Sequence, residues 1–191
     1  VGIHDAPRPE ARSAVESAKK AGIKVIMVTG DNEITALTIA KDVGLIDKDE
    51  DVVTGQELSK MTDEELIKII EKTRIFARTT PEDKLRLTTL FKNLGYIVGV
   101  TGDGVNDALA LKKADIGVSM GQRGTDVAKE ASDIILTDDS FSTLIKAVLE
   151  GRTIYNNIVK SIVYLLSGNL SELSLIFFGL LLGLPPPLLP T

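Results

Sequence analysis

Asp103 and Asp107 lie four residues apart in the stretch Thr101-Gly102-Asp103-Gly104-Val105-Asn106-Asp107. Two carboxylates in a glycine-punctuated loop can hold a hard cation such as magnesium, which takes oxygen ligands. Gly102 and Gly104 let the backbone turn and come close to a ligand. The apolar run at 96–100 reads as a buried strand, and 108–113 reads as a helix. A polar loop at the carboxyl end of a strand is where an open α/β sheet places its ligand site. Taken alone, however, a Gly-Asp-Gly turn is more often a loop with solvated acids.

A second loop has the same character. The apolar segment 23–28 ends in Thr29-Gly30-Asp31-Asn32, and Asn32 can cap a helix running to about Val43. The free N–H groups at such a helix start attract anions. Further on, the brief apolar segment 75–77 leads into Arg78-Thr79-Thr80-Pro81-Glu82-Asp83-Lys84, where Pro81 opens a helix to about Leu94. Arg78 and Lys84 can each serve an anion, although single basic residues are usually surface charges.

The elements that must position these loops alternate. Spacing of Ala14, Val15 and Ala18 predicts a helix over 10–21, closed by Gly22. A polar connector with a weak strand covers 47–56, and Thr62 with Glu65 forms a capping box for a helix through Lys72. Strands at 115–119 and 133–136 flank a helix near 125–131. Strand following helix throughout predicts an α/β fold with a mostly parallel, doubly wound sheet. Val1, with no initiator methionine and close to an apparent strand end, reads as a cut.

Of the 191 residues, 43% are hydrophobic, and the net charge is -5. No basic cluster suits nucleic acid, which is therefore not an expected partner. Cysteine is absent and His4 is the one histidine, which excludes thiolate metal sites, cysteine nucleophiles and paired-histidine metal sites. All 22 basic residues lie at or before Lys160, and Glu172 is the one charged residue after it. The segment 162–184 is long enough, at about 1.5 Å per residue, to cross a bilayer core of about 30 Å. Lys146, Arg152 and Lys160 precede it and no charge follows it, so the positive-inside rule puts the amino-terminal portion in the cytosol. Leu144, Val148, Gly151, Tyr155, Ile158 and Ile162 recur at three- and four-residue steps. They predict one long helix joining the soluble part to the apolar tail, which would suit either a transmitter of movement or a passive anchor. Within the tail, Asn169 and Glu172 share a helical face, and a carboxylate inside a membrane span points to function.

Thr29-Gly30-Asp31, Lys84 and the 101–107 loop resemble the later motifs of the haloacid dehalogenase superfamily. The full Thr-Gly-Asp-Gly-Val-Asn-Asp run resembles cation-transporting P-type ATPases, above all bacterial calcium-type pumps. Lys129-Glu130-Ala131-Ser132-Asp133, Asp138-Asp139-Ser140-Phe141-Ser142 and Gly151-Arg152-Thr153-Ile154-Tyr155-Asn156-Asn157 extend the resemblance over nearly the whole chain. It implies Asp103 as a magnesium ligand, with Asp107 supporting the same site, and Asn106 on phosphoryl or nucleotide oxygens. It implies Thr29, Gly30 and Asp31 against the phosphate, Lys84 as a fixed positive charge on it, Arg78 on the nucleotide, and Asn169 with Glu172 on the transported cation. ATP and magnesium are the implied substrate and cofactor. The lipid bilayer, that of a bacterial plasma membrane, and the remaining domains and helices of a pump are the implied partners.

The same resemblance divides the chain into a phosphorylation-domain portion at 1–141, a stalk helix at 142–160, the fifth transmembrane helix at 161–184 and the start of a non-cytosolic loop at 185–191. No Asp-Lys-Thr-Gly-Thr segment is present, so the aspartate that accepts phosphate in such pumps is missing from these residues. The family sheet would place that strand between those ending at Asp31 and Asp103, and its absence predicts two unpaired edges and an exposed apolar face. The chain is then expected to be inactive by itself. A membrane-anchored phosphohydrolase of the dehalogenase type and an inactive binding or regulatory fragment are the alternatives.

Overall fold

The computed structural model describes residues 7–46 and 52–184. The expectations for the first residues, for the polar connector at 47–51 and for the proline-rich end fall outside them. The chain divides into one unit at Val1–Lys146 and another at Ala147–Thr191.

In the first unit, helix α1 (Ala11–Lys20) buries Ala14, Val15 and Ala18, the three residues whose spacing predicts it. Strand β1 (Met27–Val28) is followed by α2 (Glu33–Asp42), where the Asn32 side chain accepts from the Thr35 N–H at 2.9 Å. Next come β2 (Val52–Thr54), α3 (Gly55–Leu58), α4 (Asp63–Ile70), β3 (Ile75–Ala77) and α5 (Pro81–Asn93). Capping boxes at Thr54/Glu57, Thr62/Glu65 and Thr80/Asp83 start α3, α4 and α5, each satisfying backbone donors that the first turn leaves free.

β3 lies between β1 and β2, and both pairings are parallel. Its three side chains are fully buried, and successive residues point to opposite faces. Ile75 and Ala77 join Val15, Ala36, Ala40 and Leu45, while Phe76 joins Leu58, Leu66, Ile70, Leu87 and Leu90. Helices therefore cover both faces, as the doubly wound reading requires. A second parallel sheet has the order β4 (Gly99–Gly102), β5 (Ile116–Met120), β6 (Ile134–Leu136), with α6 (Ala108–Lys113) and α7 (Asp126–Ala131) as its crossovers.

Two three-stranded sheets stand in place of the single sheet that strand alternation predicts, with the two unpaired edges expected where the family's nucleophile strand is absent. β1 is an edge of the first and β4 an edge of the second, and no ladder joins them among the described residues. The expectation of a buried strand at 96–100 is also corrected. Ile97 is 82% exposed, and β4 alternates between exposed and half-buried positions. Apolar composition supplies the tendency to bury, but burial needs a neighbour, and β4 has a strand on one side only. Ile134 and Ile135 of β6 remain exposed as well.

Helix α8 (Phe141–Leu181) runs for 41 residues without interruption, so stalk and apolar segment form the one helix that the apolar stripe predicts. It is long and apolar enough to cross a membrane, with a mean hydropathy of 1.5 in its apolar window. Asn169 and Glu172 are exposed on it.

Candidate phosphate and metal site

The Thr80/Asp83 box and Pro81 fix the first turn of α5, and Lys84 follows on the next residue. Its Nζ lies 2.6 Å from Asp107 Oδ1, with the two side chains only 19% and 12% exposed. Asp107 sits in a 3-10 turn (Val105–Asp107) that leads directly into α6. Its other oxygen, Oδ2, accepts from the backbone N–H groups of Asp103 at 3.2 Å and Gly104 at 3.1 Å. Asp107 therefore ties Lys84 to the loop and closes the loop on itself. Gly102 is needed for this, because a Cβ there would come within 2.4 Å of the Asp107 Cβ.

Asp103 is used differently. It is exposed, and among the described residues no hydrogen bond or ion pair engages its carboxylate; its backbone alone is held, the N–H by Asp107 and the carbonyl by the Thr125 N–H at 2.9 Å. Asn106 is likewise exposed. No group of three or more histidines, aspartates or glutamates able to hold a metal occurs among the described residues. Magnesium does not require such a cage, since it commonly keeps several waters and takes one or two carboxylates together with phosphate oxygens. A free Asp103 beside a fully engaged Asp107 fits that demand.

The Thr29-Gly30-Asp31 turn is joined to the segment after β3. Arg78 N–H donates to the Asp31 carbonyl at 2.8 Å, and the Thr79 N–H and hydroxyl both reach the Thr29 carbonyl at 3.0 Å. The Thr29 hydroxyl accepts from the Asp31 N–H at 3.1 Å. Arg78 adopts φ 51, a left-handed conformation that a non-glycine residue rarely takes. Its guanidinium stays mostly exposed, 3.9 Å from Glu33. The turn at Arg78 presses its carbonyl toward Gly55, where a Cβ would lie 2.2 Å from that oxygen.

Lys84 and Asp107 are thus brought together, and the Thr29-Gly30-Asp31 turn is held through Asp31 to Arg78 and through Thr29 to Thr79. Asn169 and Glu172 lie in the other unit. Thr79 and Gly55, which hold the second loop in shape, are not evident from sequence. The doubled threonine before Pro81 is the one signal for Thr79.

Several carboxylates around the fold titrate low. The Val98 N–H at 2.8 Å, followed by the Lys92 ammonium at 2.9 Å, holds the Asp115 carboxyl below the usual range. The Thr143 hydroxyl and then the Ser140 N–H do the same for Asp138. Values depressed by folding add stability that is present above the unfolded carboxylate pKa of about 3.9 and is lost as pH falls through the folded values. Circular dichroism is expected to show the first unit losing stability below about pH 4. Asp115→Asn should flatten that acid limb, and an unchanged limb would count against these bonds.

A parallel α/β scaffold with a polar, lysine-clamped loop at the carboxyl end of a strand defines a class of open α/β domains that place their ligand site at such loops. The chain belongs to the haloacid dehalogenase-like hydrolase family, whose model matches residues 1–115. Over nearly its whole length it is similar to calcium-transporting ATPases. It is 51% identical over 189 residues to that of Bacillus subtilis, covering 99% of this chain and 21% of the relative. It is 48% identical over 190 residues to calcium-transporting ATPase 1 of Saccharomyces cerevisiae, covering 98% of this chain and 20% of that one. A solved structure of the catalytic domain of the CPx-ATPase CopB-B, described for its conformational changes upon nucleotide binding, matches with a TM-score of 0.57 and 30% identity. That match covers 77% of this chain and 47% of the other. The chain spans about a fifth of the length of the curated relatives it matches.

Proposed function

We propose that these residues are part of an ATP-driven cation pump, with calcium as its cargo, that works through an aspartyl-phosphate. They would supply the carboxyl-terminal half of its phosphorylation domain and one ion-binding membrane helix. The observation that carries this reading is the division of labour at 101–107. Asp107 is consumed in fixing Lys84 and the loop, which leaves Asp103 free beside a held cation. Magnesium on Asp103, with Asp107 supporting the site, would offset charge that develops during phosphoryl transfer. Lys84 would hold its ammonium toward the phosphoryl group. Thr29, Gly30 and Asp31 would offer hydroxyl and N–H donors, and Asn106 and Arg78 would contact nucleotide or phosphoryl oxygens. The phosphate-accepting aspartate comes from sequence other than these residues, on a strand suited to the unpaired edges of β1 and β4. In the membrane, with the first unit in the cytosol, Asn169 and Glu172 would bind the transported cation together with helices from the rest of the pump.

Two measurements test this. The 191-residue chain should neither turn over ATP with magnesium nor trap phosphate covalently, and either event would refute the missing-nucleophile reading. In vesicles carrying the complete protein, Glu172→Gln should reduce ATP-driven calcium uptake to background, and uptake equal to wild type would remove Glu172 from the ion path.

A further inference from the structure

Asp139 immediately precedes Ser140 and the start of α8, and three observations set it apart. It is only 6% exposed, it adopts φ 52, and its carboxylate points back into the loop after β5 rather than to solvent. Oδ1 accepts from the Gln122 N–H at 2.9 Å and Oδ2 from the Arg123 N–H at 3.0 Å. The loop it grips has little room to do anything else. A Cβ on Gly121 would lie 2.8 Å from the Leu136 carbonyl, and one on Gly124 would lie 2.0 Å from the Met120 carbonyl. The Gln122 side chain adds a bond to the Thr137 carbonyl at 3.0 Å.

The next residue along this loop, Thr125, is the one whose N–H holds the Asp103 carbonyl at 2.9 Å. A short covalent and hydrogen-bonded path therefore runs from the first turn of α8, through the Asp139 carboxylate and the 122–125 backbone, to the residue that carries the free carboxylate. On the α8 side the path is anchored by Asp138, which accepts from the Ser140 N–H and the Thr143 hydroxyl, and whose carbonyl accepts from Arg8 at 3.2 Å.

We infer that Asp139 is a positioning residue for Asp103: its two-oxygen grip on the Gln122 and Arg123 amides sets the loop that orients Asp103, so that the acidic loop and the start of α8 hold one geometry. This deepens the reading of Asp103 as a metal ligand and rests on it. Two ordered N–H bonds to a carboxylate restrict the loop more than neutral partners would. An aspartate in the left-handed region is tolerated because its short side chain can bond locally.

The test uses the whole 191-residue chain in detergent micelles and compares wild type with Asp139→Ala and Asp139→Asn. Asparagine keeps one acceptor oxygen and the tolerance for a left-handed backbone. Two readouts are taken: amide hydrogen exchange by NMR, and broadening of the Asp103 and Gly104 amides by manganese as a paramagnetic probe for magnesium. Asp139→Ala should speed exchange at Gln122, Arg123 and Thr125 by about tenfold or more, as expected for a lost charge-assisted bond. It should also raise the manganese concentration for half-maximal broadening several-fold, roughly as a lost ligand orientation requires. Leu66 and Ile70 of α4 should exchange as in wild type, and Asp139→Asn should fall between the two.

Unchanged Thr125 exchange and an unchanged manganese midpoint in both variants would overturn the inference. So would equal acceleration at α4, which would mean general destabilisation. If Asp139→Ala does not fold, Asp139→Asn decides. If manganese leaves Asp103 unbroadened in the wild type, the metal reading of Asp103 fails, and Thr125 exchange alone then decides whether Asp139 holds the loop.

Discussion

Asp107→Ala is expected to cost the first unit about 3 kcal/mol, whereas Asp103→Ala should cost less than about 0.5 kcal/mol. The two aspartates look alike in sequence and differ in what they touch. Removing the Asp107 carboxylate strands the Lys84 ammonium, which is 19% exposed, and leaves the Asp103 and Gly104 N–H groups without their acceptor. Breaking one side of a fully buried pair costs about 3–5 kcal/mol, and the remaining solvent contact places this case at the low end. Asp103 has no comparable partner to strand. Urea unfolding of the three proteins measures the difference directly. A loss at Asp103 as large as that at Asp107 would contradict the geometry. Under the proposed pump reading the expected phenotypes of the complete protein separate: Asp103→Ala folds and fails to form a phosphoenzyme, whereas Asp107→Ala is depleted before activity can be assayed.

Glycines give the second large contrast. Gly55→Ala is expected to cost about 3 kcal/mol and Gly30→Ala no more than about 0.5 kcal/mol. A Cβ at Gly55 would stand 2.2 Å from the Arg78 carbonyl oxygen, and backbone cannot swing aside as a flexible side chain can. Relief would have to come from Arg78, already held in the left-handed region, or from β2, whose ladder with β3 fixes Thr54 against Ala77. At Gly30 the nearest atom, the Thr79 carbonyl oxygen, is 3.9 Å away, which is ordinary contact. Thermal melts of the two variants check this, and a Gly30→Ala protein as unstable as Gly55→Ala would sink the argument. Under the proposed pump reading, a Gly30→Ala change that leaves the fold intact and abolishes phosphorylation of the complete protein would mean that the glycine in Thr29-Gly30-Asp31 is there for the phosphate and not for the chain.

How legible the molecule is from its sequence depends on whether a feature is local. The capping box at Thr62/Glu65, the cap at Asn32 and the start at Pro81 are read correctly because the partners sit three residues away or closer. The unbroken α8 is read from one apolar stripe that crosses the boundary between charged and uncharged sequence. Strand burial is misread at 96–100, because the same apolar run suits a central strand or an edge, and the neighbour that decides is not adjacent in sequence. β1 is shorter than the apolar segment 23–28 for a related reason: its ladder exists only where β3 lies beside it. In the site, the identities of Asp103, Asp107 and Lys84 are visible, but the pairing of Lys84 with Asp107 depends on how α5 meets the loop before α6. The grip of Asp139 on the 122–123 amides is also invisible, since an Asp-Asp-Ser before a helix suggests only a cap.

The two sheets also differ in how far the chain must travel to close them. In the second sheet, strands follow one another in order, and Gly99 meets Ile116 and Val118 meets Ile134 after spans of roughly 17 residues. In the first, β3 must enter between β1 and β2, so that Met27 waits for Ile75 across a span of roughly 48 residues. Loop closure over the longer span costs about 1 kcal/mol more entropy, and nonlocal pairings slow folding. The shorter spans are expected to let the 99–136 strands pair before β3 closes on β1, and pulse-labelled hydrogen exchange that protects 27–28 and 75–76 first would contradict that order.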